Sequence, residues 1–296
     1  MMKYFRLYIP FLLIMNLAFA QSEVENALLW KASKGDQEAY LYGTIHISCN
    51  AELSPDVEKA LNDSDGLILE IDMSDPSLQM RMMQKMMLPN GKDASDFLTN
   101  EELESLEEFV NENVKMTPDF AMVSNMKPIF LSSLITQSLL NCKNQTGYDE
   151  LLLQKAQQQN MPISGLETID EQISALDSIP HQKVYNEMIA SIEEDQQEDI
   201  KMLDKMMQYY NNANLKGLKK LFDESDSFLN DFTDIALDKR NKNWIPVIRE
   251  KMNGKKVFIA FGAAHLIGEN GVVELLKDEG YKVIPLNQLP SGYFAL

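Results

Sequence analysis

Two apolar runs about two hundred residues apart end in the same four-residue pattern, and this pairing constrains the chain more than any other feature. The first, Glu38–Ser48, reads EAYLYGTIHIS and carries Gly43-Thr44-Ile45-His46. The second, Lys255–Gly271, opens with the run VFIAF and turns at Gly262-Ala263-Ala264-His265. The chain has three histidines, so two of them share one local setting. A continuous apolar run with a β-branched bias reads as a strand buried on both faces. The glycine lets the backbone turn tightly or approach a ligand closely. A histidine just past such a strand lies at its carboxyl end, where open α/β sheets build their sites. Two core histidines, each bonded locally, would leave the same trace.

Residues 1–20, MMKYFRLYIPFLLIMNLAFA, have the form of a secretory leader. Lys3 and Arg6 supply the positive start, Ile9–Leu17 the apolar core, and Ala18-Phe19-Ala20 a small-x-small cleavage site. The core is too short for a confident membrane span, and no later run reaches eighteen apolar residues. The expectation is an exported protein, periplasmic or secreted, starting at Gln21 and without a membrane span after leader cleavage. Loss of the leader takes the formal net charge from −18 to −20, because Lys3 and Arg6 are its only charges. Such a surface repels nucleic-acid phosphates and anionic membranes. Cys49 and Cys142 are the two cysteines, and in an oxidising compartment an isolated pair suits a disulfide. A thiolate metal ligand is the alternative. Cys49 follows His46 by three residues, so a bridge there would brace the candidate site.

The elements predicted between the two motifs place further chemistry. Lys34-Gly35-Asp36-Gln37 signals a hairpin between two β-rich runs. Ser54-Pro55 reads as N-cap and first position of a helix through about Asn62. Gly66–Asp72, GLILEID, is the next strand, with Glu70 and Asp72 on one face. Thr99-x-x-Glu102 and Thr168-x-x-Glu171 are capping boxes. Thr117–Leu140 reads as two apolar helical segments split near Lys127-Pro128. Glu150–Gln159 is a further helix, and Met161–Leu166 a short strand. From Pro180 to about Gly254 the composition is helical, with breaks at Gly217 and Ser225–Ser227 and a kink at Pro246. The predicted fold is α/β: a single domain whose central mixed sheet is surrounded by helices. A helical insertion occupies about 75–250, and the two ends form weakly repeated halves.

Glu70 joins the histidines as a third candidate ligand, since a carboxylate ending an apolar strand is costly to bury without a cation or donors. Two His and one Glu leave a coordination position open, as catalytic zinc sites do, and also suit manganese, cobalt or iron. A carboxylate held by loop amides is the plainer alternative. The spacing is not the helical H-E-x-x-H of a strong metalloprotease signal. Glu167 follows a predicted strand, which would face it into the same cavity, and it also sits beside a helix start, where an anion is favoured anyway. Arg240 would fork a substrate carboxylate or pair with an acidic neighbour. Asp72 suits a cap and His181 an exposed loop. The methionines at Met80–Met87 and Met202–Met207 suit a groove for an extended ligand better than copper. There is no Gly-x-Ser-x-Gly elbow and no Walker or dinucleotide fingerprint.

YLYGTIHIS, GLILEID and FGAAHLIGENGVVELLKDEGYKVIPL, in that order, resemble the TraB/PrgY/GumN family, whose wider group includes the Tiki proteins and is related in fold to ChaN and the erythromycin esterases. Gly147-Tyr148-Asp149, Leu166-Glu167-Thr168 with Glu171-Gln172, and Arg240-Asn241 near Trp244 are similar to family positions. The resemblance implies an α/β fold with both Gly-x-x-His motifs in one cleft. It implies a catalytic divalent metal centre (manganese, cobalt or zinc) on His46, Glu70 and His265. The reading built on it makes Glu70 and Glu167 catalytic, with Asp72 the alternative proton carrier, and turns Arg240, Asn241 and Asp149 toward the substrate. Tiki members cut secreted proteins, so the implied partner is a peptide or protein substrate. A non-catalytic protein sequestering a peptide, or haem as in ChaN, is the rival expectation.

Overall fold

A computed structural model describes residues 25–115, 119–140, 142–194, 196–224 and 231–286. The expected leader, Thr117 and the Ser225–Ser227 break lie outside the described residues. Strands β1 (Leu29–Lys34) and β2 (Gln37–Thr44) form the hairpin, with Lys34 opposite Gln37 across Gly35-Asp36. Four more strands join them: β4 (Gly66–Leu69), β6 (Ile163–Gly165), β7 (Lys256–Gly262) and β8 (Lys282–Pro285). The sheet order is β6-β4-β7-β2-β1-β8. β6, β4, β7 and β2 are mutually parallel, while β1 runs antiparallel to both β2 and β8. The short β3 (Ser48–Cys49) and β5 (Gln145–Thr146) make a separate antiparallel ladder.

That arrangement matters for chemistry because parallel strands end on one edge. β2 delivers His46 there, β4 Glu70, β6 Glu167, and β7 the turn that bears His265. β2 and β7 are adjacent, with Gly43 opposite Phe261 and Thr44 opposite Gly262, so the two motifs are side by side. Val257–Phe261 are at most 3 % exposed, as a strand covered on both faces should be.

Helices α1 (Pro55–Asn62), α2 (Leu78–Met86), α3 (Asn100–Asn113), α4 (Pro128–Ser138) and α5 (Tyr148–Gln158) precede β6. Helices α6 (Ile169–Leu176), α7 (His181–Glu193), α8 (Gln197–Asn211), α9 (Leu215–Glu224) and α10 (Lys239–Lys251) follow it, and α11 (Val272–Asp278) joins β7 to β8. The caps form as their sequences dictate. Ser54 accepts from the Val57 amide, and both capping boxes close with reciprocal bonds. On α10, Asn241, Trp244, Ile245 and Ile248 are buried, an i, i+3, i+4, i+7 stripe that seats the helix against β7. A wider π-type turn, Asp234–Asp238, leads into α10, a feature often found beside functional groups.

The short strand expected at Met161–Leu166 inside the 75–250 stretch forms as β6, where Leu67–Leu69 pair with Ile163–Gly165 and draw the chain back to the sheet. Other expectations change. The ends do not repeat in pairing, since β4 lies parallel beside β7 whereas β8 runs antiparallel to β1. Between Asp119 and Pro128 the described residues form one short turn, Phe120–Met122, capped by Asp119, and the helix starts only where proline is tolerated. The methionines do not line one groove: Met86 and Met87 pack on a cluster around Leu106 and Tyr185, Met82 on one around Ile169, and Met206 on the main core. His181 begins α7 with its ring edge-to-face on Phe97, centroids 5.8 Å apart, rather than standing in an open loop.

Candidate metal centre

The two histidines reach the same edge by different local means. After β2 the chain continues extended, and Tyr148 donates its amide to the Ile45 carbonyl at 3.1 Å. A side chain at Gly147 would collide with the His46 carbonyl, so only glycine permits α5 to start so close. A disulfide between Cys49 and Cys142 and the β3–β5 ladder stitch this loop together. After β7 the chain instead folds into a tight turn, Ala263–Leu266, whose Leu266 and Ala263 sit where a side chain at Gly43 would stand.

Three candidate ligands converge above Gly262. A methyl group built on that glycine would lie 3.5 Å from Glu70 Oε1, 3.7 Å from His265 Cδ2 and 4.0 Å from His46 Nε2. Each imidazole is oriented through its other nitrogen. His46 Nδ1 donates to Asp149 Oδ2 at 2.9 Å, and Thr44 Oγ1 donates to Asp149 Oδ1 at 2.9 Å. His265 Nδ1 donates to Asn241 Oδ1 at 2.5 Å, with Asn241 fixed by its own donation to the Asn270 carbonyl at 2.8 Å. Both Nε2 atoms are thereby left to face the cleft, as in metal sites where a second group sets the ring's tautomer.

Glu70 is held by three donors. Gly262 N–H reaches Oε1 at 2.8 Å, while Gln172 Nε2 and Arg240 Nη2 reach Oε2 at 2.9 and 2.6 Å. Arg240 is the hub. It bonds Glu167 through Nε at 3.0 Å and Nη2 at 2.6 Å, and its Nη1 lies 3.0 Å from the Ala236 carbonyl and 3.3 Å from His265 Nε2. Trp244 packs beneath it, 4.9 Å from the guanidinium carbon, and donates its indole N–H to Glu167 Oε2 at 3.1 Å.

These contacts set the protonation states. Burial works to raise Glu70, but the charges of His265, Arg240 and His46 with the Gly262 amide outweigh it and hold the carboxyl at about 2. Burial pushes His265 down to about 3, so it is neutral at pH 7, and Arg240 and His46 are the cations that keep Glu70 ionised there. Burial raises Glu167 despite Arg240 and Trp244. His46 goes the other way: its hydrogen bond to Asp149 lifts it to about 9, although 71 % of its side chain is open to solvent.

The structure thus gathers His46, Glu70, His265, Glu167 and Arg240 in one place. Asp149 and Asn241, expected to face the substrate, stand behind the imidazoles with their polar atoms engaged there. Asp72 takes no part, because it caps the turn at Ser74. Arg240 pairs with acidic neighbours, the second of the two expectations for it. Gln172 and Thr44 were not singled out from the sequence for the roles they take. Thr44 carried a signal, lying inside the Gly-x-x-His motif. Gln172 lay only in a loosely similar segment.

A family model spans residues 28–285. The chain belongs to the TraB/PrgY/gumN family. It is 23% identical to "Metalloprotease TIKI1" of Danio rerio over 321 residues, which cover 90% of this chain and 64% of that protein. It is 23% identical to "Metalloprotease TIKI2" of Xenopus tropicalis over 325 residues, covering 90% and 60%. It is 26% identical to the "Uncharacterized protein YbaP" of Escherichia coli (strain K12) over 250 residues, covering 82% and 89%. The chain therefore spans less than two thirds of the length of these two TIKI proteins. No solved structure matches it.

The metalloprotease names in this TraB/PrgY/gumN group imply a divalent metal. The donor set here fits one in chemistry, with two oriented imidazoles and an ionised carboxylate around one space. The present spacing does not: among the described residues, no group of three His, Cys, Asp or Glu side chains stands close enough to hold an ion. His265 Nε2 is 3.8 Å from Glu70 Oε1, with the Arg240 guanidinium against both residues.

Proposed function

We propose that this chain is an exported metal-dependent hydrolase, most simply a peptidase, whose divalent ion is held by His46, Glu70 and His265. The observation that carries the reading is the convergence of His46 Nε2, Glu70 Oε1 and the His265 ring above Gly262. When bound, manganese, cobalt or zinc would supply Lewis acidity and lower the pKa of water to about 7. The chain's own residues do the rest. Asp149 and Asn241 aim the imidazoles, and Gly262, Gln172 and Arg240 hold Glu70. Glu167 and Glu70 are two carboxyls whose environments push them apart, one raised and one lowered, the pattern of an acid/base division of labour. Glu167 is the proton carrier in this reading.

Export is supported by the Cys49–Cys142 disulfide, since such bridges persist in oxidising compartments. No helix among the described residues is long and apolar enough to cross a membrane. The substrate would be an extended peptide or a protein segment reaching the strand ends, as the metalloprotease relatives suggest.

Incubating the protein with a peptide library and manganese or cobalt, read by mass spectrometry, tests this. Cleavage that chelator abolishes is expected, together with its loss in Glu70→Ala. Peptide or haem binding without cleavage, indifferent to chelator, would replace the hydrolase with a sequestering protein.

A further inference from the structure

Arg240 stands where a ligand set cannot share. Its Nη2 takes Glu70 Oε2 at 2.6 Å, and its Nη1 faces the Nε2 of His265 at 3.3 Å, the ring nitrogen that Asn241 leaves free. A side chain that bonds two of three candidate ligands is not a bystander. Without the guanidinium, Glu70, 7 % exposed, would keep only the Gly262 and Gln172 hydrogen bonds and lose the cation in contact with its Oε2. A divalent ion arriving beside a guanidinium would meet like charge and occupied lone pairs.

The same guanidinium has a second set of holds that owes nothing to Glu70 or His265. Its Nε lies 3.0 and 3.3 Å from the two Glu167 oxygens, Nη1 donates to the Ala236 carbonyl in the π-type turn, and the Trp244 ring lies beneath. Glu167 is itself fixed by the Trp244 indole. Releasing Glu70 and His265 would therefore leave the guanidinium still held by Glu167, the Ala236 carbonyl and the Trp244 ring.

We propose that Arg240 is the resident cation of the metal-free site and that a divalent ion enters by exchange with it. The guanidinium lets go of Glu70 and His265 and stays with Glu167. This deepens the hydrolase reading and rests on its assignment of His46, Glu70 and His265 as ligands. Arg240 is a positioning residue in this scheme: it keeps Glu70 ionised and in place before the ion arrives, and it sets how tightly the ion is held. Net occupancy of the cleft by cations is exchanged rather than added, and Glu167 keeps the displaced charge paired.

Zinc alone is a suitable probe, because it is d¹⁰ and does not quench fluorescence by redox or spin. Isothermal titration of the wild type and Arg240→Gln gives affinity, and Trp244 emission reports the guanidinium over its ring. Trp30, the second tryptophan, is in β1 with its indole bonded to Ala27, so it gives a constant background. Zinc binding to Arg240→Gln should be at least tenfold tighter than to wild type. In wild type, Trp244 emission should shift and saturate at one zinc per chain. Glu167→Gln, which removes the second anchorage, should weaken zinc. Zinc uptake by wild type with flat Trp244 emission, or with equal or weaker binding to Arg240→Gln, would overturn the exchange and leave the metal centre standing. No uptake by either protein would overturn the metal centre itself. If Arg240→Gln does not fold, the emission test on wild type decides alone.

Discussion

The two Gly-x-x-His motifs are nearly the same in sequence and opposite in environment. His46 is solvent-open, paired with a carboxylate and raised to about 9. His265 is 3 % exposed, paired with an amide and pushed down to about 3. One loop is pinned by a disulfide and a two-stranded ladder, the other by a tight turn packed on Gly43. What the contrast teaches is that the tetrapeptide specifies where an imidazole goes, while the carboxylate behind one ring and the burial of the other decide what each imidazole is at neutral pH. A site built this way has one ligand preset as a neutral donor and one that surrenders a proton on binding.

The largest effect should come from removing what the two histidines share. Glu70→Ala should abolish activity and, by removing a charged hydrogen-bond partner of Arg240 while Glu167 keeps that guanidinium paired, cost roughly 1.5–3 kcal/mol in denaturant unfolding. Glu70→Gln separates the two losses, since it keeps the shape and the hydrogen bonds of one oxygen. An Ala variant as stable as wild type would mean that Arg240 does not depend on Glu70.

Next is the brace on one motif only. Converting Cys49 and Cys142 to alanine opens a link across a sequence separation of 93, and the chain-entropy model puts the loss at about 4–5 kcal/mol. Because the bridge lies on the His46 side, hydrogen exchange should quicken at residues 45–50 and 145–149 and stay unchanged at 262–266. Equal quickening at both would break the comparison.

Exchanging the residues behind the rings sharpens it further. Asp149→Asn should bring His46 down toward its ordinary value of about 6.5, and Asn241→Asp should raise His265 from about 3, both read by NMR titration. Each should lower metal affinity or activity by roughly 10–100-fold. Unmoved titrations would show that the partner does not set the charge.

The smallest effect is in stability against pH. His265 and Glu70 have folded values below their unfolded ones, so their contribution is present above about 6.5 and 4.3 and drains away as pH falls toward about 3 and 2. His46 has a folded value above its unfolded one, so its contribution is present below about 6.5 and is lost as pH rises through about 9. His46→Gln should therefore flatten the alkaline limb of a melting-temperature profile, and His265→Gln the acid limb.

Much of this was legible before any coordinates. His46 and His265 announce themselves through strand, glycine and scarcity, and Glu70 through a charge closing an apolar strand. Cys49 and Cys142 had only each other. The capping boxes at Thr99 and Thr168 are local chemistry and read directly. Arg240 as hub was not legible, because Glu70 and Glu167 lie 170 and 73 residues away in sequence and only the parallel strand order brings them together. Asp149 and Asn241 look like surface polar residues at helix starts until the burial of α5 and α10 turns them inward. The segment that returns to the sheet at Ile163–Gly165 reads as a strand, but nothing local says that it pairs with Leu67–Leu69.

The most direct test is metal content. Purified wild type, His46→Ala and His265→Ala, dialysed against manganese, cobalt or zinc and analysed by atomic emission, should give one ion per chain for the wild type and none for either variant. Full uptake by either variant, or no uptake by the wild type, would contradict a single centre shared by the two motifs.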